Sequence, residues 1–533
     1  MITDKTKPQI FSVTTPLYYV NNVPHMGSAY TTMVADVIAR FKRLKGSSVL
    51  FITGTDEHGQ KIQRTAVERK LDPQQHCDQI VESFKDLWQK LNIQYDCFSR
   101  TTSQRHEVIV KEFFQRVYDN DDIYLAQQQG WYCVPCEEFK EKRELREDMC
   151  CPLHPNQKAE WRDEENYFFR LSKYQEALET FYEEHHEFIE PETRRNEILK
   201  FIDQGLQDFS ISRVNVGWGF PVPIDLDHTI YVWFDALLGY LTALLDSDQE
   251  PTLENALSKW WPINLHLIGK DILRFHAVYW PAMLMSAKLP LPKKIFSHGF
   301  LTKDGQKMSK SLGNTLNPFD LVNRYGSDAV RYYFLKEIEC GRDGDFNETR
   351  FVNVLNADLA NDLGNLLNRT LGMTRKYCKG VIPQVANFPL DYPLKAAGQD
   401  LGLRVNQAYE AIKFNQVCEE IFSLIRASNK FIDEQAPWSL FKQGKQAEVE
   451  TILAAVLESV RLSAYLLSPI IPNLSNNIYQ QLGLSVDFND GDHVHQNAPF
   501  TQHSQWGKIE VNQTLTKPQP IFVRLNLPEE EST

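Results

Sequence analysis

Apolar and polar positions recur in two rhythms along the chain, and the changes of rhythm divide it into segments. Near the start, Ile10-Phe11-Ser12-Val13 is a short β-like run that stops at Pro16, and the polar turn Asn21-Asn22-Val23-Pro24 follows. From Met26 to Leu44 the residues Tyr30, Met33, Val34, Val37, Ile38, Phe41 and Leu44 recur at helical spacing, and Gly46 closes the segment. A second β-like run, Ser48-Val49-Leu50-Phe51-Ile52-Thr53, ends in the polar loop Gly54-Thr55-Asp56-Glu57-His58-Gly59. Strand, helix and strand in this order predict a parallel α/β sheet, whose ligands bind beyond the carboxyl ends of the strands.

Residues 118–225 change character, with a cysteine cluster, charged stretches and short aromatic runs, and read as an insertion. Sheet-like runs return at Ile230-Tyr231-Val232-Trp233-Phe234, His266-Leu267-Ile268 and Ile295-Phe296-Ser297-His298-Gly299. Residues 1–117 and 226–349 are therefore expected to be two halves of one sheet domain. Glycine and proline then thin out, and Val354, Leu355, Leu359, Leu363, Leu366 and Leu367 fall at helical spacing, so 350–480 is expected to be a helical bundle. Residues 481–533 read as a polar tail with one strand-like piece, Ile521-Phe522-Val523-Arg524-Leu525.

A length of 533 residues fits this division, because single cores stop growing at roughly 250–300 residues. A composition 42% hydrophobic and 24% charged is that of a globular protein. The net charge of −13 excludes a protein that holds nucleic acid by bulk positive charge, so an RNA partner would need local basic stripes and base contacts. No run approaches the roughly 18 apolar residues of a membrane span, and the N-terminus lacks the pattern of a signal peptide. A cytoplasmic protein is expected. Nine cysteines, four of them clustered between 133 and 151, suggest one metal site rather than a disulfide framework.

That cluster is specific. Cys133-x-x-Cys136, fourteen intervening residues, then Cys151-x-x-His154 supply three thiolates and an imidazole at tetrahedral zinc spacing. Cys150 competes for the third position, but Cys151 gives the tighter gap to His154. Such a closed site would be structural. Two further segments suit phosphate. Lys307-Met308-Ser309-Lys310-Ser311 lies between Gly305 and Gly313, placing two ammonium groups three residues apart on a loop. His25-Met26-Gly27 stands where the first strand gives way to the first helix, so a phosphate there would meet backbone N–H groups, a helix N-terminus and an imidazole. Alone, each also reads as an ordinary solvated loop.

Together they resemble the two signatures of class I aminoacyl-tRNA synthetases: His25-Met26-Gly27-Ser28 is similar to "HIGH", with Ser28 in place of its second His, and 307–311 is a full "KMSKS". Thr53-Gly54-Thr55-Asp56-Glu57-His58-Gly59, Tyr231-Val232-Trp233-Phe234-Asp235-Ala236 and Ile268-Gly269-Lys270-Asp271-Ile272 resemble the methionyl branch of that class. The resemblance implies a Rossmann-like catalytic domain with a zinc-binding insertion and an α-helical anticodon-binding bundle. It implies His25, Ser28, Lys307 and Lys310 as catalytic groups, and ATP with Mg²⁺ on His25, Gly27, Arg213, Gly269, Lys270, Asp271 and Lys307, Met308, Ser309, Lys310 and Ser311. Asp271 would orient the ribose. Leu17, Tyr19, Trp233, Leu237, Tyr240 and His276 would surround methionine, with Asp56 on its ammonium group. Asn365, Arg369 and Trp438 would read the CAU anticodon of methionine tRNA. Some family members dimerise through an appended RNA-binding barrel, and the stretch after the bundle is too short for one, so a monomer is expected. Two competing readings are a sister synthetase for cysteine, leucine, isoleucine or valine, and a catalytically silent RNA-binding protein that keeps the scaffold.

Overall fold

A computed structural model describes residues 9–134, 136–152, 154–214, 216–308, 314–385 and 388–527. Six parallel strands form the central sheet in the order Cys97–Arg100, Ser48–Asp56, Ile10–Tyr19, Leu265–Gly269, Ile295–His298, Ile189–Glu190. The first half of the chain builds outward one way from Ile10–Tyr19, and the second half builds outward the other way from Leu265–Gly269. The carboxyl ends of these two neighbours therefore flank the topological switch point, where open α/β sheets bind ligands.

The first helix spans Met26–Leu44, as its spacing predicts. Three expectations are corrected. The first strand runs through Pro16 to Tyr19, because its register with Ser48–Asp56 shifts between Thr14 and Leu17 and the ladder skips the residue without an N–H. The second strand likewise extends through Asp56, so that residue ends a strand instead of sitting in a loop. The run Ile230–Phe234 splits: Asp225–Ile230 is a strand of a small antiparallel sheet, and Val232–Thr242 is a helix. A short apolar run fits both periods, and here burial of the helix on nearly every side removes the amphipathic signal.

The stretch 118–225 is not uniform. Ile123–Cys133 and Glu160–Phe169 form a long antiparallel ribbon, joined by Glu138–Lys140 and a two-stranded knuckle, Cys150–Cys151 with His154–Lys158. Residues 175–202 instead return to the main body. Their helices Gln175–Glu184 and Glu192–Ile202 bury Leu178, Tyr182, Ile198 and Ile202 in the core that holds Phe234 and Trp280, and Ile189–Glu190 is the sheet's sixth strand.

Helices Asn365–Tyr377, Leu401–Glu410, Phe414–Gln435, Gln446–Leu467 and Pro472–Gln481 make the bundle. It is locked to the sheet domain by buried charge. Asp36, on the first helix, meets Arg40 at 2.7 Å and Arg331 at 2.6 Å, and Arg331 donates to the carbonyls of Pro469 and Ile470. Burial opposes ionisation of Asp36, but the two guanidiniums hold its carboxyl below the usual range.

The polar tail expected at 481–533, with its one strand-like piece, is also corrected. Residues 491–527 wrap the bundle in irregular chain with short helical turns, and no strand forms at 521–525. The buried Glu458 carboxylate binds Arg461 at 2.7 and 2.8 Å and accepts the N–H groups of Gly507, Lys508 and Ile509, while Arg461 donates to the carbonyls of His503 and Gln505. An irregular segment needs such partners for its backbone. Glu458→Ala leaves a buried guanidinium unpaired, a change worth about 3–5 kcal/mol. It is expected to lower the melting temperature and to raise amide hydrogen exchange at 507–509 before the rest of the bundle; unchanged protection there would refute the role.

Candidate functional site

At the switch point a cleft of about 770 Å³ opens between the two halves of the sheet. It brings together Leu17, Tyr19, His25, Gly27, Ser28, Asp56, Trp233, Leu237, Tyr240, Gly269, Asp271 and His276. His25 is the N-cap of the first helix, and its Nδ1 accepts from the N–H groups of Gly27 at 3.0 Å and Ser28 at 3.3 Å. The ring proton therefore sits on Nε2. A Cβ on Gly27 would meet the imidazole at 2.9 Å, so glycine is what allows the ring to fold back over the helix end. Ser28 completes the capping box: its hydroxyl donates to His25 O at 2.7 Å and receives the His25 N–H. The hydroxyl is engaged in fixing His25.

The apolar end of the cleft is built on the helix Val232–Thr242, whose Trp233, Leu237 and Tyr240 fall at i, i+4 and i+7. Trp233 stacks on Phe275 with ring centroids 3.7 Å apart. His276 projects from a π-turn, Phe275–Tyr279. Its Nδ1 donates to Ile272 O at 3.1 Å, which leaves Nε2 to accept the Tyr240 hydroxyl at 2.8 Å. Burial pushes His276 down to about 4, so the wall is uncharged at neutral pH. Such a wall suits a weakly polar, polarisable side chain.

Asp56 is the electrostatic exception. Its carboxyl is buried, its Oδ1 has no hydrogen-bond partner among the described residues, and it faces the cleft. Burial first, then the charges of Asp235 and Glu137, push it well above the usual 3.8. An orphaned acceptor of this kind is open to a hydrogen-bond donor on a ligand. Behind it, Asp235 joins His58 at 2.7 Å and His106 at 3.0 Å. Burial opposes its ionisation, yet the two imidazoles hold Asp235 down at about 2. This trio fixes the helix that carries Trp233.

Several groups in or behind the cleft were not singled out from the sequence. Glu137 follows Cys136 and accepts from the Tyr19 hydroxyl at 2.9 Å and the Lys61 N–H at 2.7 Å, so the insertion itself reaches the cleft. Gly59, at φ +111°, leaves room for that carboxylate, which would lie 2.5 Å from a Cβ. His298 binds Thr31 Oγ1 at 2.7 Å across from the first helix. Its position at the carboxyl end of a parallel strand was a readable signal; the Glu137 contact spans far too much sequence to leave one.

Other expected nucleotide residues lie at or beyond the rim. Lys270 pairs with Asp343 at 2.7 Å and sits 4.4 Å from the Phe300 ring centroid. Arg213 is buried outside the cleft lining, donating to Ser210 Oγ and Ser212 O and lying over Tyr231. Met308 is half-buried against the large core. The backbone of Lys307 closes a hairpin, Leu301–Lys303 with Gln306–Lys307, while its side chain and Ser309, Lys310 and Ser311 lie outside the described residues.

In the insertion, the sulfur atoms of Cys133, Cys136 and Cys151 lie within 4.8 Å of one another, with Cys136 and Cys151 at 3.6 Å. Three sulfurs at this spacing fit one tetrahedral ion. Cys150 Sγ is instead turned to Asp148 O. His154 begins the facing strand, and its side chain lies outside the described residues. At the far end of the bundle, Asn365 is exposed one turn before Arg369, which pairs with Asp433 at 2.6 Å, and Trp438 is exposed on the short helix Pro437–Lys442.

Comparison with known proteins agrees with this arrangement. Residues 11–159 and 147–371 match the family tRNA synthetases class I (M), and residues 395–530 match the anticodon binding domain of methionyl tRNA ligase. A methionine–tRNA ligase of Synechocystis sp. is 70% identical over 98% of both chains, and one of Nostoc sp. is 68% identical over 97% of both. The structure of a Mycobacterium tuberculosis methionyl-tRNA synthetase in complex with methionyl-adenylate superposes with a TM-score of 0.89 at 38% identity, covering 97% of this chain and 100% of that one. The chain belongs to the methionine–tRNA ligases, a family of class I aminoacyl-tRNA synthetases.

Proposed function

We propose that this protein activates methionine with Mg²⁺-bound ATP and transfers it to the 3′ end of methionine tRNA, with the cleft residues in the following roles. The methionine carboxylate attacks the α-phosphorus of ATP, the bond to the β-phosphate oxygen breaks, and pyrophosphate leaves. A terminal ribose hydroxyl of the tRNA then attacks the adenylate carbonyl, and AMP leaves. The observation that carries the reading is the orphaned Asp56 carboxylate beside an uncharged aromatic wall, a complement to an ammonium group and a thioether in one ligand.

Leu17, Tyr19, Trp233, Leu237, Tyr240 and His276 enclose the side chain in this reading. His25, its Nε2–H directed by the Nδ1 cap, and the amides and dipole of the first helix receive the phosphates. Ser28 acts through His25, by capping, and not as a phosphate ligand. Gly269 and Asp271 take the ribose side, with Lys270 at the rim. Lys307 and Lys310, with Met308, Ser309 and Ser311, stabilise charge that grows on the phosphates in the transition state. Arg213 would join the ATP site only by leaving its present contacts. Cys133, Cys136 and Cys151, with His154 as fourth ligand, hold one structural Zn²⁺, which fixes the knuckle that presents Glu137.

Asn365, Arg369 and Trp438 read the CAU anticodon, the amide and guanidinium at base edges and the indole as a stacking plate. The protein works as a cytoplasmic monomer in this reading. No described helix is long and apolar enough to cross a membrane, and residues 491–527 are engaged by their own bundle.

Methionine-dependent exchange of pyrophosphate into ATP is expected, with none from cysteine, leucine, isoleucine or valine; exchange with another amino acid overturns the specificity. Asp56→Asn should cut methionine-dependent exchange by about 100-fold or more, the scale of unpairing a buried charge. The folded-state pKa of Asp56 is raised, so the protonated form stabilises the fold below the unfolded value of 3.8 and this contribution is lost as pH rises through the raised value. The same substitution should therefore raise the melting temperature at pH 8, and an unchanged or lowered value would refute the cost assigned to the buried carboxylate. Methionine affinity of the parent protein should rise with pH through the same window. Lys310→Ala should slow adenylate formation by at least ~10²-fold while leaving the methionine Kd within about 2-fold; equal losses in both would remove its assigned role. Cys151→Ser should reduce bound zinc below one ion per chain and raise hydrogen exchange across 133–158, and retention of a full ion would reassign the ligands.

A further inference from the structure

The chain carries a net charge of −13, yet residues 365–380 contain Arg369, Arg375, Lys376 and Lys379 with no acid, and residues 436–445 contain Lys442 and Lys445 with no acid. These two segments meet at one end of the bundle, where Tyr377 and Phe441 lie with ring centroids 4.4 Å apart and planes at 32°. Trp438 and Phe441 are three residues apart on one short helix and 37% and 39% exposed, so they share one solvent-facing side of it. Lys376 lies 5.4 Å from the Tyr377 ring centroid and, seven residues on from Arg369, falls on the same face of the helix. Of the nearby acids, Asp433 pairs with Arg369 and Glu448 with Lys445, while Glu450 accepts from Gln446, whose amide also donates to Tyr377 O.

We infer that Tyr377 and Phe441 form a second base-stacking step, which binds unpaired tRNA nucleotides flanking the anticodon triplet, with Lys376, Lys379 and Lys442 on their phosphates. This rests on the assignment of Asn365, Arg369 and Trp438 to the triplet. From Arg369 to Tyr377 the helix rises about 12 Å. Successive bases in a strand rise about 3.4 Å, so the second step lies some three to four nucleotides from a base held at Arg369, beyond a three-base window. Aromatic faces take any base, so the step adds affinity without a sequence requirement, whereas the Arg369 site discriminates. The excess of cations along 365–380 and 436–445 is the complement of a phosphate backbone.

The test is aminoacylation of an unmodified methionine tRNA transcript, together with pyrophosphate exchange and direct binding of a 17-nucleotide anticodon stem-loop. Phe441→Leu, which keeps apolar bulk but no ring, is expected to raise the tRNA KM and the stem-loop Kd by about 5- to 100-fold. Phe441→Tyr should restore both to within about 2-fold, and exchange should not change in either variant. Lys376→Ala should flatten the dependence of log Kd on log salt by about one unit. Equal behaviour of the leucine and tyrosine variants, or a parallel loss of exchange in the leucine variant, would overturn the inference and make the ring pair structural. If Trp438→Ala leaves stem-loop binding intact, the triplet assignment itself falls; if only Trp438→Ala weakens it, the second step alone falls.

Discussion

The buried carboxylate of Asp36 between Arg40 and Arg331 is the constraint on which the remaining geometry depends. An ion pair taken wholly out of water contributes little net stability, since desolvation offsets most of the attraction, but a displaced partner would leave a bare charge in the core. The penalty for misalignment is therefore steep, and the arrangement acts as a locator. Arg331 spends its other donors on the carbonyls of Pro469 and Ile470, and Arg40 reaches Phe488 O, so the first helix and the bundle are indexed to one point. That helix begins at His25 and Gly27. Its N-terminus cannot shift in the cleft without disturbing the charges ten residues further on.

Asp56 obeys the same electrostatics with the opposite outcome. Asp36, Asp235 and Glu458 are buried carboxylates with their partners inside the protein, two guanidiniums for the first, two imidazoles for the second, and one guanidinium with three backbone amides for the third. Asp56 alone of these four keeps an oxygen without a partner, and it is the one that faces the cleft. A cationic ligand would complete it. The fold thus keeps at its cleft a buried carboxyl group that burial and neighbouring acids disfavour as an anion, a cost that a bound cation would offset.

Much of this was legible in the sequence where the signal was local. The helix from Met26, the parallel strands at 265–269 and 295–298, and the spacing that gathers Cys133, Cys136 and Cys151 each follow from residues close together in the chain. The failures share a cause. Pro16 halts a strand by its own chemistry, yet a bulge lets the ladder resume; Trp233 belongs to a helix whose period is hidden by burial on most sides; the 491–527 segment has no internal pattern because its order comes from Glu458 and Arg461. Arg213 and Lys270 carry residue types fit for a nucleotide, while only their partners, Ser210 and Asp343, reveal where each side chain rests. Position along the chain specifies an element; the direction of a long cationic side chain is decided by what surrounds it.

The insertion shows why the sulfur cluster and the cleft cannot be treated as separate devices. Cys136 is both a member of the sulfur cluster and part of the cleft wall, and the next residue, Glu137, holds the Tyr19 hydroxyl and the Lys61 amide from the other side of the sheet domain. Glu137 adopts φ +54°, a left-handed conformation that a non-glycine residue keeps only when its surroundings over-determine it. Those surroundings are the turn closed by Cys133 and Cys136 on one side and Tyr19 with Lys61 on the other. An ion bound by the sulfurs would favour the turn, the turn presents the carboxylate, and the carboxylate orients the tyrosine that lines the cleft. Because Tyr19 is the last residue of the strand Ile10–Tyr19, a loosened knuckle would be felt directly at the carboxyl end of the central sheet.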